Sequence, residues 1–123
     1  MDKTVSAQMH TILEQYEGDV KDAWNNGANM TAKESVQKLR NTSPKRTGSY
    51  ARGWSVKRER ARGGLSDFIV HNSKHYQLTH LLENGHVIRN KKGTYGRTRG
   101  IKHIAPVEDW AVNELPNEIE RNL

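Results

Sequence analysis

The sequence predicts an α+β domain in which a long N-terminal helix and a C-terminal helix pack on a small antiparallel sheet of about four strands. Three observations predict it: a helical apolar period over residues 4–41, short strand patterns between residues 50 and 104, and a second helical period after Pro106. The length of 123 residues suits one domain spanning residues 1–123.

The N-terminal helix is predicted from apolar or small residues that recur mostly every three or four positions between Val5 and Leu39. This spacing places them on one face of a helix with 3.6 residues per turn. The Asn25-Asn26-Gly27 cluster leaves open whether the segment is one helix or two, because glycine is unfavourable inside helices. Thr42-Ser43-Pro44 is expected to end it, since the residue before proline avoids the α region.

The first two strands are expected to form a hairpin. Residues 50–57 alternate, which would place Tyr50, Arg52, Trp54 and Val56 on one face. Arg62-Gly63-Gly64 has the composition of a turn, and the short apolar run at residues 67–72 follows as the second strand.

The second half predicts a short helix at residues 76–83, ended by Asn84-Gly85, and then strands at residues 86–89 and 101–104. Between them, residues 90–100 contain three glycines and no aliphatic side chain. We therefore expect an exposed, basic and mobile loop there. Pro106 is expected in the first turn of the final helix, and Pro116 kinks or ends that helix.

The apolar core is expected to be thin. Leu, Ile, Val and Phe together number 23 of 123 residues, although three Trp and four Tyr favour a folded chain. Such a subunit is expected to bury further surface against partners. The chain contains no cysteine, which fits a reducing compartment and excludes disulfides and thiolate sites, and it shows no signal peptide or membrane-spanning run.

The net charge of +6 is distributed in blocks. Residues 45–62 and residues 89–103 each carry a net charge of +6, whereas residues 104–123 carry −4. Such blocks indicate contact with nucleic acid or with the acidic parts of neighbouring copies, and the simpler alternative is a solubilising surface. The side chains predicted to face DNA or a partner are Arg52, Lys57, Arg58, Arg60, Arg62, Lys91, Lys92, Arg97 and Arg99.

No pattern of a catalytic or cofactor site is present. The chain lacks a phosphate-binding glycine loop and a nucleophile elbow, so we predict no enzyme, no cofactor and no metal. A metal-dependent nuclease using His71, His75 and His80 is the least favoured alternative, because their spacing does not fall on one helix. A small basic nucleic-acid-binding module is the stronger alternative.

Three sequence blocks stand out, namely Ser43-Pro44-x-x-Thr47-Gly48-x-Tyr50-x-x-x-Trp54, Leu78-Thr79-His80-Leu81-Leu82-Glu83-Asn84-Gly85-His86 and His103-Ile104-Ala105-Pro106-Val107-Glu108. In this order and at these distances, they resemble the small tail-component or neck protein family of long-tailed bacteriophages and prophages. The resemblance extends over roughly residues 5–120. Arg46 departs from the pattern, because members often carry an acidic residue before Thr-Gly.

The resemblance implies a non-enzymatic virion protein at the head–tail junction, made in the cytoplasm of the bacterial host. It implies a ring of six or twelve copies that joins the head connector to the tail, next to head-completion and tail-terminator proteins. DNA in the channel would be a further partner, and no membrane is involved.

The matched motif residues are expected to serve mainly packing and turn chemistry, and partly contacts between subunits. We expect Glu83 to pair with an arginine, with His86 or with His80, because a carboxylate at a helix C-terminus opposes the helix dipole. The motif residues are Pro44, Thr47, Gly48, Tyr50, Trp54, His80, Glu83, Gly85, His86, His103 and Pro106.

Overall fold

The computed structural model describes residues 5–45 and 47–123, with the side chains of residues 88–90 and 95 outside that description. The α+β architecture predicted from the sequence is confirmed. Two short 3₁₀ turns, Arg62–Gly64 and Tyr76–Leu78, join the elements. The helices and strands are α1 (Val5–Thr42), α2 (Ser49–Arg52), β1 (Trp54–Arg60), β2 (Ser66–Asn72), α3 (Thr79–Asn84), β3 (Val87–Asn90), β4 (Gly93–Arg97) and α4 (Ile104–Arg121).

Helix α1 is a single helix of 38 residues, so the polar cluster at its middle does not divide it. At 1.5 Å per residue it is about 57 Å long. Asn25 instead binds the turn between β1 and β2: its Nδ2 donates to the Gly64 carbonyl at 3.0 Å, and its Oδ1 accepts the Ser66 N–H at 2.8 Å. Position 4, where the predicted helix began, lies outside the described residues.

Strands β1 and β2 form the antiparallel hairpin that the sequence predicts, with Trp54 opposite Asn72 and Val56 opposite Val70. Val56 and Val70 pack against the core, while Lys57 and Ile69, from the other face of the hairpin, are exposed. The hairpin therefore covers one side of α1 with its apolar face.

The predicted start of the first strand is wrong, because residues 49–52 form the helical turn α2. Gly48 has φ +80°, a left-handed conformation that redirects the chain, and its carbonyl accepts the Arg52 N–H at 3.0 Å. The common face expected for Tyr50, Arg52 and Trp54 is lost as a result. Tyr50 and Trp54 are buried, whereas Arg52 is exposed.

The single sheet of about four strands is also wrong: among the described residues there are two separate two-stranded sheets, β1–β2 and β3–β4. Strand β4 lies within the segment predicted as a loop, whereas residues 101–103 form no strand. Asn90 pairs with Gly93 around a two-residue turn, and Gly93 and Gly96 have φ values of +141° and +111°. The exposure predicted for this segment is confirmed by the exposed residues 91–94 and 96–97.

Helix α4 runs antiparallel to α1, with Ile119 beside Gly27 and Trp110 beside Lys38. It begins two residues before Pro106 and continues through Pro116 to Arg121, so the second proline does not end it. The core between the helices and the first hairpin is thin, as the composition predicted. It consists of Val36, Leu39, Tyr50, Trp54 and Val107, with Val56, Val70, Leu82 and Ile104 packed around them.

Within residues 5–45 and 47–123, no helix has both the length and the apolar character that a membrane crossing requires.

Candidate functional site

Each of the three sequence blocks contributes one side chain to a single buried cluster: Tyr50, Glu83 and His103. His103 is 1% exposed, and its Nε2 lies 2.8 Å from the Tyr50 hydroxyl. Its Nδ1 lies 2.7 Å from the Ile101 carbonyl and 3.0 Å from Glu83 Oε1. Since both of these neighbours are acceptors, Nδ1 carries a proton.

Glu83 caps the N-terminus of α4. Its carboxylate accepts the backbone N–H groups of His103 at 2.7 Å, Ile104 at 2.8 Å and Ala105 at 3.0 Å. Glu83 is buried near the C-terminus of α3, where its negative charge opposes the helix dipole. The same carboxylate lies at the N-terminus of α4, where the helix dipole favours a negative charge. The partner is therefore a helix terminus and His103, in place of the arginine, His80 or His86 that we expected.

The cluster shifts the pKa of two of its groups. Burial raises the pKa of Glu83, but the three backbone N–H groups and the His103 ring outweigh it and hold that pKa below the ordinary value of 4.5. Burial, followed by the negative charge of Glu83, raises the pKa of Tyr50 to about 12. The carboxylate is thus ionised and the phenol neutral at neutral pH.

The remaining motif residues hold the chain around this cluster. Trp54 Nε1 donates to Ser43 Oγ at 2.8 Å, and the Trp54 and Tyr50 rings meet edge to face with centroids 5.7 Å apart. Gly85 has φ +78°, and any Cβ there would collide with the Thr98 carbonyl oxygen.

Two other motif residues make local contacts. His86 Nδ1 lies 2.9 Å from Thr98 Oγ1, and Thr47 Oγ1 accepts the Ser49 N–H at 3.4 Å. Pro44 is half-buried, while His80 and Pro106 are exposed. Arg46, the position that departs from the family pattern, lies outside the described residues.

Asn72 belongs to the same buried region and was missed by the sequence analysis. It is 2% exposed, its Nδ2 donates to the Tyr50 carbonyl at 2.7 Å, and its Oδ1 accepts the N–H groups of Lys74 and His75. Asparagine at the end of a strand, before Ser73, is typical of a side chain that organises a turn, and that signal could have identified it.

The predicted basic residues lie in two groups, both exposed. The first group follows β1: Arg58 Nε donates to Ser66 Oγ at 3.0 Å and Lys57 pairs with Glu59 at 3.1 Å. Arg52 lies on α2, and Arg60 and Arg62 lie at the end of the first hairpin.

The second group is carried by the β3–β4 hairpin rather than by a loop. Lys91 and Lys92 form its turn, and Arg97 Nη2 donates to the Asn84 carbonyl at 3.4 Å. Arg99 follows β4 directly. A two-stranded hairpin presents these cations at fixed spacing, which a mobile loop would not do.

Two of the three histidines considered as metal ligands bind hydroxyl groups, and the third, His80, is exposed. His75 Nε2 lies 2.9 Å from Ser49 Oγ, and His71 Nε2 lies 3.4 Å from Ser55 Oγ. In the described part of the chain, no three His, Asp or Glu side chains are grouped so that they could hold a metal ion.

An apolar stripe lies uncovered on the first turns of α1. Its side chains are 57–71% exposed. We define the stripe as Val5, Met9, Ile12, Leu13 and Tyr16.

The stripe has an apolar counterpart elsewhere in the chain, which we define as the groove between α1, β2 and α4. It consists of two adjoining cavities of about 320 and 290 Å³ that share Ser35, Phe68, Val70 and Ala111.

A comparison with family models matches residues 7–85 to the family described as "Bacteriophage HK97-gp10, putative tail-component". The comparisons with curated proteins and with solved structures found no match. The matched segment is more than half of the chain and includes most of α1, the first hairpin, the first sequence block and all of the second block except His86. The chain therefore belongs to the HK97-gp10-like family of bacteriophage tail components, which are structural proteins.

Proposed function

We propose that the protein is a neck or tail-completion subunit, which forms a ring at the head–tail junction and joins the head connector to the tail of a long-tailed phage. The observation that carries the proposal is the uncovered apolar surface of a tail-component subunit: a stripe of five large apolar side chains and a groove that a lone copy leaves open. Contiguous exposed apolar surface of this kind marks an interaction site.

Opposite charges on different parts of the subunit support a ring. The segment 45–62 carries +6 and the segment 104–123 carries −4. A surface that is complementary to a different surface of the same chain makes head-to-tail contacts, and these close into a ring when the rotation between copies allows it. Six or twelve copies would match the symmetry of such junctions.

The role of the ring is geometric. Each copy makes modest contacts, but repeated contacts around a ring add up, because after the first contact the others form at high effective concentration. The adjoining partners would be a head-completion protein on one side and a tail-terminator protein on the other. The basic β3–β4 hairpin would contact acidic surfaces of these neighbours or the DNA in the channel.

Interruption of the gene in the phage or prophage that encodes the protein tests the proposal. We expect DNA-filled heads and complete tails that remain separate, and a plasmid copy should restore joined particles. Electron microscopy of complemented particles should show a ring of this protein at the collar. Joined, infectious particles without the protein would contradict the proposal.

A second candidate, a nucleic-acid-binding module, is favoured by the exposed cations of the second hairpin, Lys91, Lys92 and Arg97. Binding of this kind depends steeply on salt, because phosphate contacts release counterions. Filter binding of duplex DNA from about 50 to 200 mM salt separates the two functions, since a binding module loses about 10³-fold or more in affinity over this range. No measurable binding at the lowest salt would remove this candidate.

A further inference from the structure

Among the described residues, the apolar stripe and the groove are two apolar surfaces that no other element of the subunit covers. The five stripe residues fall within an arc of about 100° on the helix, at 100° per residue. Every residue from Val5 to Asp19 is exposed, so in this region α1 extends beyond the rest of the subunit. A helix with such a face is normally stabilised by packing that face against another element.

The groove is longer than the stripe. Along α1 it runs from Trp24 to Leu39, a distance of about 22 Å at 1.5 Å per residue. The stripe from Val5 to Tyr16 is about 17 Å long by the same measure. The walls carry large apolar side chains, namely Trp24, Phe68, Val70, Val112 and Leu115.

The stripe cannot reach the groove of its own chain. One wall of the groove is α1 itself, and the stripe lies on the same unbroken helix. The distance between Ile12 and Ala28 along the axis is therefore fixed at about 24 Å. Only another molecule can bring a stripe to this groove.

Charges of opposite sign lie beside the stripe and beside one wall of the groove. Residues 5–20 contain Glu14, Glu17 and Asp19 and no Lys or Arg, which gives a formal charge of −3. Residues 54–64, which include β1, carry four basic groups and one acidic group, which gives +3. The Arg58 guanidinium of β1 lies 5.4 Å from the ring centroid of Phe68, a residue of the groove. The groove lining itself carries Asp67 and Glu108, and residues 104–123, which contain the α4 wall, carry −4.

We propose that the stripe of one copy lies in the groove of the next copy, so that each subunit gives a helix and receives one. The contact is heterologous, and repetition of it produces a ring or an open filament. This inference rests on the proposed function only in that copies of the chain contact one another. It adds which two surfaces meet.

Pairing of a stripe with a second stripe is the competing arrangement, and the charges disfavour it. It would bring two segments of charge −3 together and would leave both grooves open. The seating of stripe in groove instead covers both apolar surfaces and brings the −3 segment beside the +3 of residues 54–64, with the acidic helix α4 on the other wall.

Cross-linking between engineered cysteines tests the contact. The chain contains no cysteine of its own, so every disulfide must form between introduced residues. The full-length variant carries Ile12→Cys in the stripe and Val112→Cys in the groove wall. Both positions are more than 60% exposed, so the fold should persist, and circular dichroism verifies this. Mild oxidation should give a ladder of covalent oligomers. The control Thr11→Cys with Val112→Cys moves the thiol off the stripe and should give little product.

The single variants distinguish the two arrangements. Ile12→Cys alone should remain largely monomeric on non-reducing gels if the stripe lies in a groove. Strong dimer formation by Ile12→Cys alone, with no ladder from the double variant, would overturn the proposal in favour of stripe pairing. Absence of any cross-link together with a monomer at all concentrations would also overturn it.

Non-covalent variants give an independent measurement. Ile12→Gln with Leu13→Gln removes the stripe, and Val112→Gln disturbs the groove. Each should weaken self-association, measured by sedimentation, at least about tenfold, whereas Thr11→Gln should leave it unchanged. A mixture of the stripe variant and the groove variant should form one-to-one dimers, because one intact stripe and one intact groove remain.

The failure of this inference is distinguishable from the failure of the proposed function. If the double-cysteine variant forms covalent oligomers in solution but the protein is missing from the collar of the particle, the contact between stripe and groove is supported and the location at the head–tail junction is rejected. A collar ring whose cysteine variants do not cross-link inside purified particles would keep the location and reject the contact.

Discussion

At the scale of single residues, Glu83 connects three parts of the chain that are distant in sequence. Its carboxylate lies at the end of α3, binds three consecutive N–H groups at the start of α4 and contacts His103, which in turn binds Tyr50. The charged form is the form that these donors stabilise, and this is why the pKa of Glu83 lies below its ordinary value.

Glu83→Gln should destabilise the protein by about 1–3 kcal/mol at neutral pH, because the charged acceptor of three backbone N–H groups is lost. The folded-state pKa of Glu83 lies below its unfolded value near 4.5, so its contribution is present above that pH and is lost as pH falls through the folded pKa. The difference between wild type and variant should therefore shrink from pH 7 towards pH 3. Urea unfolding across this range measures it.

The control for this series is Glu120→Gln, which removes an exposed carboxylate from α4, the helix whose N-terminus Glu83 caps. It should change the free energy of unfolding by less than about 0.5 kcal/mol at every pH. A deficit of Glu83→Gln that is as large at pH 3 as at pH 7 would show that the ionised carboxylate is not what stabilises the α4 terminus.

Much of this site could be predicted as a set of residues but not as a set of contacts. The sequence blocks singled out Tyr50, Glu83 and His103, and the structure joins all three. The main partners of Glu83 are backbone N–H groups 20 to 22 residues away. They could not be predicted, because nearly every residue has such a group and the sequence does not show which of them bind a side chain. Asn72 was missed because it binds the backbone in the same way.

At the scale of elements, the two glycines of α1 differ in whether they contact another element. Gly27 lies against α4, where an added Cβ would lie 2.7 Å from the Ile119 backbone nitrogen. Gly18 lies on the exposed part of the helix, and a Cβ there would meet nothing within 4 Å. The first glycine permits close contact of two helices, whereas the second serves no packing role within the subunit.

Gly27→Ala should therefore destabilise the protein by about 1–3 kcal/mol, because α4 must move away from α1. Gly18→Ala should raise helix content and stabilise α1 by up to about 1 kcal/mol, because alanine is the better helix former. Thermal unfolding followed by circular dichroism measures both substitutions. Equal effects of the two would contradict the close contact between the helices at Gly27.

The elements were predictable where their apolar spacing was strong. The long helix, the first hairpin and the final helix follow from such patterns, and the structure has each of them. The turn α2 was missed because alternation from Tyr50 to Val56 imitates a strand, although Gly48 bends the chain first. Strand β4 was missed because backbone pairing to β3 forms it without aliphatic residues.

At the scale of the whole molecule, the charges are separated along the chain and presented by different elements. The exposed start of α1 is acidic, and the first hairpin is basic. Within one subunit, this separation gives few opportunities for pairing between the two regions, since the start of α1 extends beyond the core. Between subunits, it favours contacts between unlike surfaces and disfavours contacts between like ones.

A charge exchange tests this directly. Arg60→Glu with Arg62→Glu reverses two cations of the first hairpin and should weaken self-association about tenfold, because each exposed charge pair contributes up to about 1 kcal/mol. Glu17→Lys with Asp19→Lys reverses two charges beside the stripe and should weaken self-association by a similar factor. A mixture of the two variants should associate better than either alone, because opposite charges again meet at every contact between unlike variants. Sedimentation at about 0.1 M salt measures the self-association of each variant and of the mixture. Near 1 M salt, the differences between them should vanish, since the Debye length falls to about 3 Å.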